Sequence, residues 1–201
     1  MGPLVAIVLA AGRGRRMGQT KQLLPWGDST VVAATLRQAL ASQADQVILV
    51  TGHEATAVAA AATGLDITIL HNPDYEAGEM VSSLQVAVRM LPAGTRAILV
   101  LLADQPFIPP TILDALSHAY DAGAGSIIAP VYEGRRGNPV LIGAEHFAEL
   151  LALPAGSAPR QLLQAHPGAV HLLPVDNEAI LQDLDQPEQY EKLYALYHQG
   201  K

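Results

Sequence analysis

Leu4-Val5-Ala6-Ile7-Val8-Leu9-Ala10-Ala11-Gly12-Arg13-Gly14-Arg15-Arg16-Met17-Gly18-Gln19-Thr20-Lys21 sets the frame for the rest of the chain. Its apolar half is continuous rather than alternating, the pattern of a strand covered on both faces in a parallel sheet. It then breaks into small residues and a loop in which Arg13, Arg15, Arg16 and Lys21 stand among Gly12, Gly14 and Gly18. A buried strand that delivers a basic, glycine-rich loop to the surface suits a polyanion, and the loop reads as one that holds a triphosphate.

Outward from this stretch, further Val- and Ile-rich runs fall at Gln46 to Thr51, Ile67 to Leu70, Ala97 to Leu102, Ser126 to Val131 and Val170 to Pro174. Between them the spacing predicts helices over Val31 to Gln43, Ala55 to Ala62, Glu79 to Met90, Pro110 to Ala122, Ala144 to Leu151, Ala158 to His166 and Pro187 to Tyr197. Ser29-Thr30 is placed to cap the first helix, and Pro109-Pro110 stiffens the start of the fourth. Arg136 to Ile142 reads as a loop opening into one more strand, at an edge or with its proline first, and able to run antiparallel. Strand and helix alternate, so the fold class is α/β. The expectation is a single domain over residues 1–201.

Composition removes several functions. There is no cysteine, which leaves oxygen and histidine as the only metal donors of strength. A formal charge of −7 argues against a nucleic-acid surface. No signal peptide or bilayer-length apolar run is visible, so the expected setting is cytoplasmic, away from membranes. Only three lysines occur, Lys21, Lys192 and Lys201. Lys21 alone lies in a glycine-rich loop.

That loop fails two well-known phosphate motifs. A P-loop places lysine directly after its last glycine, but Gln19 and Thr20 intervene; a dinucleotide fingerprint needs a glycine where Met17 stands. What remains is specific in another way. Ala10, Ala11 and Gly12 let the backbone approach a base or ribose, Gly12 and Gly14 permit turns, and Arg16 and Lys21 can engage phosphate oxygens. Asp104, in Ala103-Asp104-Gln105-Pro106, follows a hydrophobic strand and would share the ligand-binding rim of the sheet, where its carboxylate can take Mg2+. Asp183-Leu184-Asp185-Gln186-Pro187-Glu188 supplies further acids, with Asp185 assigned as a second metal ligand and Asp183 as its support. The seven histidines show no metal-site spacing and read mostly as loop or surface residues.

Taken in order, Leu9 to Gly18 with Lys21, Ala103-Asp104-Gln105-Pro106, Arg136-Gly137-Asn138-Pro139-Val140 and Asp183 to Glu188 resemble the molybdenum cofactor nucleotidyltransferases, the MobA-like NTP transferases. The resemblance spans nearly the whole chain and lies nearest the cytidylyltransferase branch. It implies a three-layer αβα, Rossmann-like fold with a mostly parallel mixed sheet, and transfer of CMP from CTP to the terminal phosphate of molybdopterin, releasing pyrophosphate. By motif, Leu9, Ala10, Ala11 and Gly12 would meet the nucleotide, Arg16 and Lys21 its phosphates, and Asp104 and Asp185 the Mg2+. Gly78 and Ser83 match the residues that recognise cytosine, and Gly137, Asn138 and Pro139 match the acceptor loop. Arg135 and Arg160 are the cations available for the acceptor's phosphate.

Two departures from the guanylyltransferase branch favour CTP: Leu9-Ala10-Ala11-Gly12 has alanine where that branch has glycine, and Thr51-Gly52-His53-Glu54 lacks its asparagine. Asn138 replaces a histidine common in the acceptor loop of the cytidylyltransferases, so the acceptor stays open. The alternatives are a guanylyltransferase, a transferase for sugar or other small-metabolite phosphates, or a non-catalytic carrier of the pterin cofactor. The implied partners are CTP, a phosphorylated pterin, and a molybdoenzyme or its chaperone as recipient.

Overall fold

The computed structural model describes residues 1–13 and 19–199, and the backbone alone for 78–79 and 197–199. Strand β1 (Leu4–Ala10) forms its centre, buried at every position. It pairs in parallel with β4 (Gln46–Thr51) on one side and β6 (Ala97–Leu102) on the other. β5 (Thr68–His71) extends the sheet beyond β4. Beyond β6 comes β9 (Val140–Gly143), then β7 (Ile127–Tyr132) and β10 (Val170–Pro174), giving the order β10-β7-β9-β6-β1-β4-β5. Only β9 runs antiparallel in this path, so the sheet is mixed and mostly parallel. The expected antiparallel strand is therefore present, but at an interior position. Pro139 precedes Val140 and so sits just outside the ladder, where its missing N–H costs nothing.

Alternation along β1 divides the core into two layers. Leu4, Ala6, Val8 and Ala10 pack with Val32, Leu36, Val58, Leu113 and Leu116. These come from α1 (Val31–Leu40), α2 (Ala55–Ala61) and α4 (Pro110–Asp121). Val5, Ile7 and Leu9 face the other way, onto Leu84, Val88, Leu150 and Leu162. Those belong to α3 (Tyr75–Arg89), α5 (Phe147–Ala152) and α6 (Arg160–Ala165). The three αβα layers expected from the sequence are thus in place. Each fully buried Leu, Ile or Val in them contributes about 1.5–3 kcal/mol.

The Thr30 hydroxyl accepts from the Ala33 N–H at 3.3 Å, as its capping role requires, and Pro110 opens α4. α3 begins about one turn before the expected Glu79, because the polar first turn at Tyr75 carries no apolar periodicity to announce it. A small hairpin, β2 (Pro25–Trp26) with β3 (Ser29–Thr30), was not legible as strand; Gly27 turns it with φ +63°. It buries Trp26 against Leu24, Val31 and Leu184, with Tyr190 and Tyr194 of α7 (Pro187–Gln199) packed alongside. β8 (Arg135–Arg136) adds a short antiparallel pair to β7. Among the described residues, no helix is long and apolar enough to cross a membrane.

Candidate active site

The parallel strands β1, β4 and β6 end together, and the segments leaving β1 and β6, with α3 opposite, form the walls of a cleft of about 480 Å3. Leu9, Ala11, Gly12, Lys21, Asp104 and Ser83 all line it, as expected of a site at the carboxyl edge of an α/β sheet. Ala10 lies in the inner layer instead, its side chain turned into the core. Gly78 lies in α3, which forms the opposite wall. Arg16 and Gly14 fall outside the described residues.

Two of the lining residues, Lys21 and Asp104, form an ion-pair triad with Asp185, which is not itself in the lining. The Lys21 ammonium donates to the Asp104 carboxylate and, at 2.5 Å, to Asp185 Oδ1, bridging residues far apart in sequence. Burial pushes the Lys21 ammonium down in pKa, but the charge of Asp104 and the hydrogen bonds to both aspartates outweigh it and hold it above its usual 10.5. The sequence reading gave Lys21 to the phosphates and the acids to a metal as separate tasks; the structure joins them in one cluster. Asp104 Oδ1 is buried and, among the described residues, has no hydrogen-bond partner. A buried carboxylate oxygen left over after its lysine is satisfied fits an oxygen-seeking cation such as Mg2+. Asp104 and Asp185 therefore pass the chemical test for holding one.

Supporting residues explain why these groups meet. The Gln105 side chain donates to the Gln182 carbonyl at 2.7 Å, tying the segment that carries Asp185 to the end of β6. Leu184, fully buried, anchors the same segment beside Trp26. The Gln22 amide donates to the Gly12 carbonyl at 3.1 Å and fixes the exit of β1. Gly52 is needed for packing: a Cβ there would lie 2.7 Å from the Cβ atoms of both Ala11 and Tyr75. Gly12 differs. It is not among the glycines with positive φ, and a Cβ would meet nothing within 4 Å among the described residues. The turn freedom expected of Gly12 is thus not used.

Three residues had no individual role in the sequence reading. Asn72, buried at the end of β5, donates to Ser82 Oγ at 2.8 Å and Ser83 Oγ at 2.9 Å, while its own Oδ1 accepts from the Asp74 N–H at 3.0 Å. That last bond fixes which way the amide faces. Arg13 reaches across the cleft mouth to pair with Glu76 and lies 6.0 Å from the Tyr75 ring centroid. Arg136 is the third. It lines a second cavity of about 330 Å3 with Gly137, Asn138 and Arg160, and Met80 and Leu102 line both cavities. Arg135, the expected partner of Arg160, is not in that lining, because neighbours in β8 project to opposite sides. Pro139 is not in it either. Gly137 packs so closely that a Cβ would stand 2.2 Å from the Ile180 carbonyl oxygen.

One lysine and two aspartates gathered at the carboxyl rim of the sheet in a three-layer fold suit a nucleotidyltransferase. Residues 6–170 match the MobA-like NTP transferase domain, and the chain belongs to that family. It is 29% identical over 191 residues to the molybdenum cofactor cytidylyltransferase of Escherichia coli, covering 94% of this chain and 95% of that one. It is 30% identical to the nicotine blue oxidoreductase of Paenarthrobacter nicotinovorans, covering 94% and 96%. Among solved structures, the manganese complex of Rv0371C from Mycobacterium tuberculosis superimposes with a TM-score of 0.81 at 31% identity, covering 96% and 98%. Relatives of similar length thus carry names from different chemistries.

Proposed function

We propose that this protein transfers CMP from CTP to the terminal phosphate of molybdopterin or a closely similar phosphorylated pterin, with release of pyrophosphate. The observation that carries the reading is the Lys21–Asp104–Asp185 triad, two of whose members line a cleft that shares Met80 and Leu102 with a second cavity bearing Arg136 and Arg160. One cavity accommodates the nucleotide and the other an anionic acceptor.

In the reaction, an acceptor phosphate oxygen attacks the α-phosphorus in line. The new O–P bond forms as the bond to the β-phosphate bridging oxygen breaks, and that oxygen leaves with its electron pair on pyrophosphate. A phosphate nucleophile is already ionised near neutral pH, so positioning and charge neutralisation suffice. Lys21 exchanges the carboxylates for phosphate oxygens of the incoming triphosphate, and Arg16 serves the same phosphates. Asp104 and Asp185 would hold a divalent ion, proposed as Mg2+, which when bound would supply charge neutralisation. Because Ser83 Oγ already accepts from Asn72, its own proton is free to point at an acceptor on the base, and cytosine offers its C2 carbonyl and N3. Ala11, Gly12 and Gly78 leave room for the ring. Gly137 and Asn138 meet the acceptor, with Arg136 and Arg160 on its phosphate. The cytidylyltransferase relative supports this choice of nucleotide and acceptor.

The test is pyrophosphate release by the purified protein with each of the four NTPs, Mg2+ and molybdopterin. CTP is expected to be the preferred donor, and Lys21→Ala and Asp104→Ala are each expected to lose about 100-fold or more of the turnover while remaining folded. Tight pterin binding without turnover would instead indicate a carrier. Undiminished pyrophosphate release by either variant would overturn the assigned site.

A further inference from the structure

On the opposite rim of the sheet, three side chains converge that the candidate active site does not use. We propose that His146, Glu149 and His166 form a binding site for a divalent transition metal of the zinc type. Their ligand atoms all lie within 4.8 Å of one another. His146 closes the short turn Ala144–His146 that follows β9, and Glu149 comes three residues later, on the same face of the first turn of α5. His166 caps the end of α6, with three residues between it and the start of β10 at Val170. Two helices thus bring one imidazole each to a shared carboxylate.

The donor set selects the metal. Two imidazoles and one carboxylate suit Zn2+, Co2+ or Ni2+, whereas the all-oxygen pair Asp104 and Asp185 suits Mg2+ or Mn2+. Ser126 Oγ lies 2.7 Å from His146 Nε2, the kind of outer partner that orients a ligating ring through its other nitrogen. His166 Nε2 and Glu149 Oε2 are 2.5 Å apart, so both are already aimed into the same small space. His146 is buried, while the His166 and Glu149 side chains are 36% and 41% exposed, which leaves a way in from solvent and room for water at the remaining coordination position.

Such a metal would act as a clip rather than a catalyst. It would join the two ends of the α5–α6 unit, whose inner carbonyls at Leu150 and Leu153 accept from Gln85 of α3 at 3.1 and 2.9 Å. The same unit presents Arg160 to the second cavity. The ordinary alternative is a metal-free histidine–glutamate ion pair between the helices, and the two differ in a measurable way.

The experiment is Co2+ titration of the chelator-stripped full chain, followed by visible absorption and by thermal unfolding. One Co2+ is expected to bind with the d–d spectrum of a four- or five-coordinate site, and to raise Tm by about 5 °C at a hundredfold excess over Kd. Asp104→Asn with Asp185→Asn should keep that spectrum, since it alters only the other rim. His166→Gln and Glu149→Gln, both at partly exposed positions, should stay folded and bind Co2+ at least about tenfold more weakly. Absence of binding by the stripped chain would overturn the site. Binding that survives both substitutions, or that disappears with the two aspartates, would equally overturn it.

Discussion

Lys21 is the residue on which the site's charge balance turns. Its ammonium is held by two carboxylates, and its pKa is raised above 10.5. A cation with a raised folded pKa contributes stability that is fully present below its unfolded value and is lost as pH climbs through the folded one. Lys21→Met is therefore expected to cost about 1–3 kcal/mol, a penalty constant from about pH 7 to about pH 10 that shrinks only above it. Urea midpoints of the two proteins across that range provide the check, and convergence already between about pH 7 and about pH 9 would contradict the triad. At neutral pH the same charge is available in full to a triphosphate. Lys21 was legible in the sequence because lysine is scarce and this one follows a glycine-arginine loop. Asn72 was not: a lone asparagine after a short apolar run reads as a turn residue until its amide is seen between Asp74 and the two serines.

At the scale of elements, the nucleotide cleft depends on how closely the turns after β1 and β4 approach α3. Gly52 and Gly12 separate packing from binding. Gly52→Ala places a methyl 2.7 Å from Ala11 and Tyr75 and should destabilise by about 1–3 kcal/mol, shifting the cleft wall with it. Gly12→Ala meets open space, so its stability should stay within about 0.5 kcal/mol of the parent while nucleotide affinity falls about tenfold. Denaturant midpoints and nucleotide titration on both variants test this; unchanged affinity in Gly12→Ala would remove Gly12 from the binding surface. The strands themselves were legible almost to the residue, since continuous apolar runs of Val and Ile allow few other structures. The β2–β3 hairpin was not, because two-residue strands carry no period to read.

At the scale of the whole molecule, the site exists because α7 and the segment before it return to β6. Lys21 meets Asp104 across 83 positions of sequence and Asp185 across 164. The closure is secured by Leu184 in the cluster of Leu24, Trp26 and Val31, and by the Tyr190 hydroxyl, which donates to the Pro25 carbonyl at 2.7 Å. Leu184→Ala should therefore cost about 2–4 kcal/mol and also reduce turnover, although the side chain faces away from the cleft. Parallel measurement of unfolding free energy and pyrophosphate release checks the coupling. A destabilised variant with full activity at low temperature would show that Asp185 is placed by other contacts.

The sequence by itself determined the α/β alternation, the parallel strands, and the loop, lysine and aspartates at their ends, because apolar run length and side-chain chemistry are local properties written in order along the chain. Tertiary structure alone decided what those groups do to one another. It brought Lys21 between two acids, put Arg136 rather than Arg135 in the second cavity, and gathered His146, Glu149 and His166 on the far rim. These are distances between segments set by the packing of helices on a twisted sheet, and no spacing within one segment encodes them.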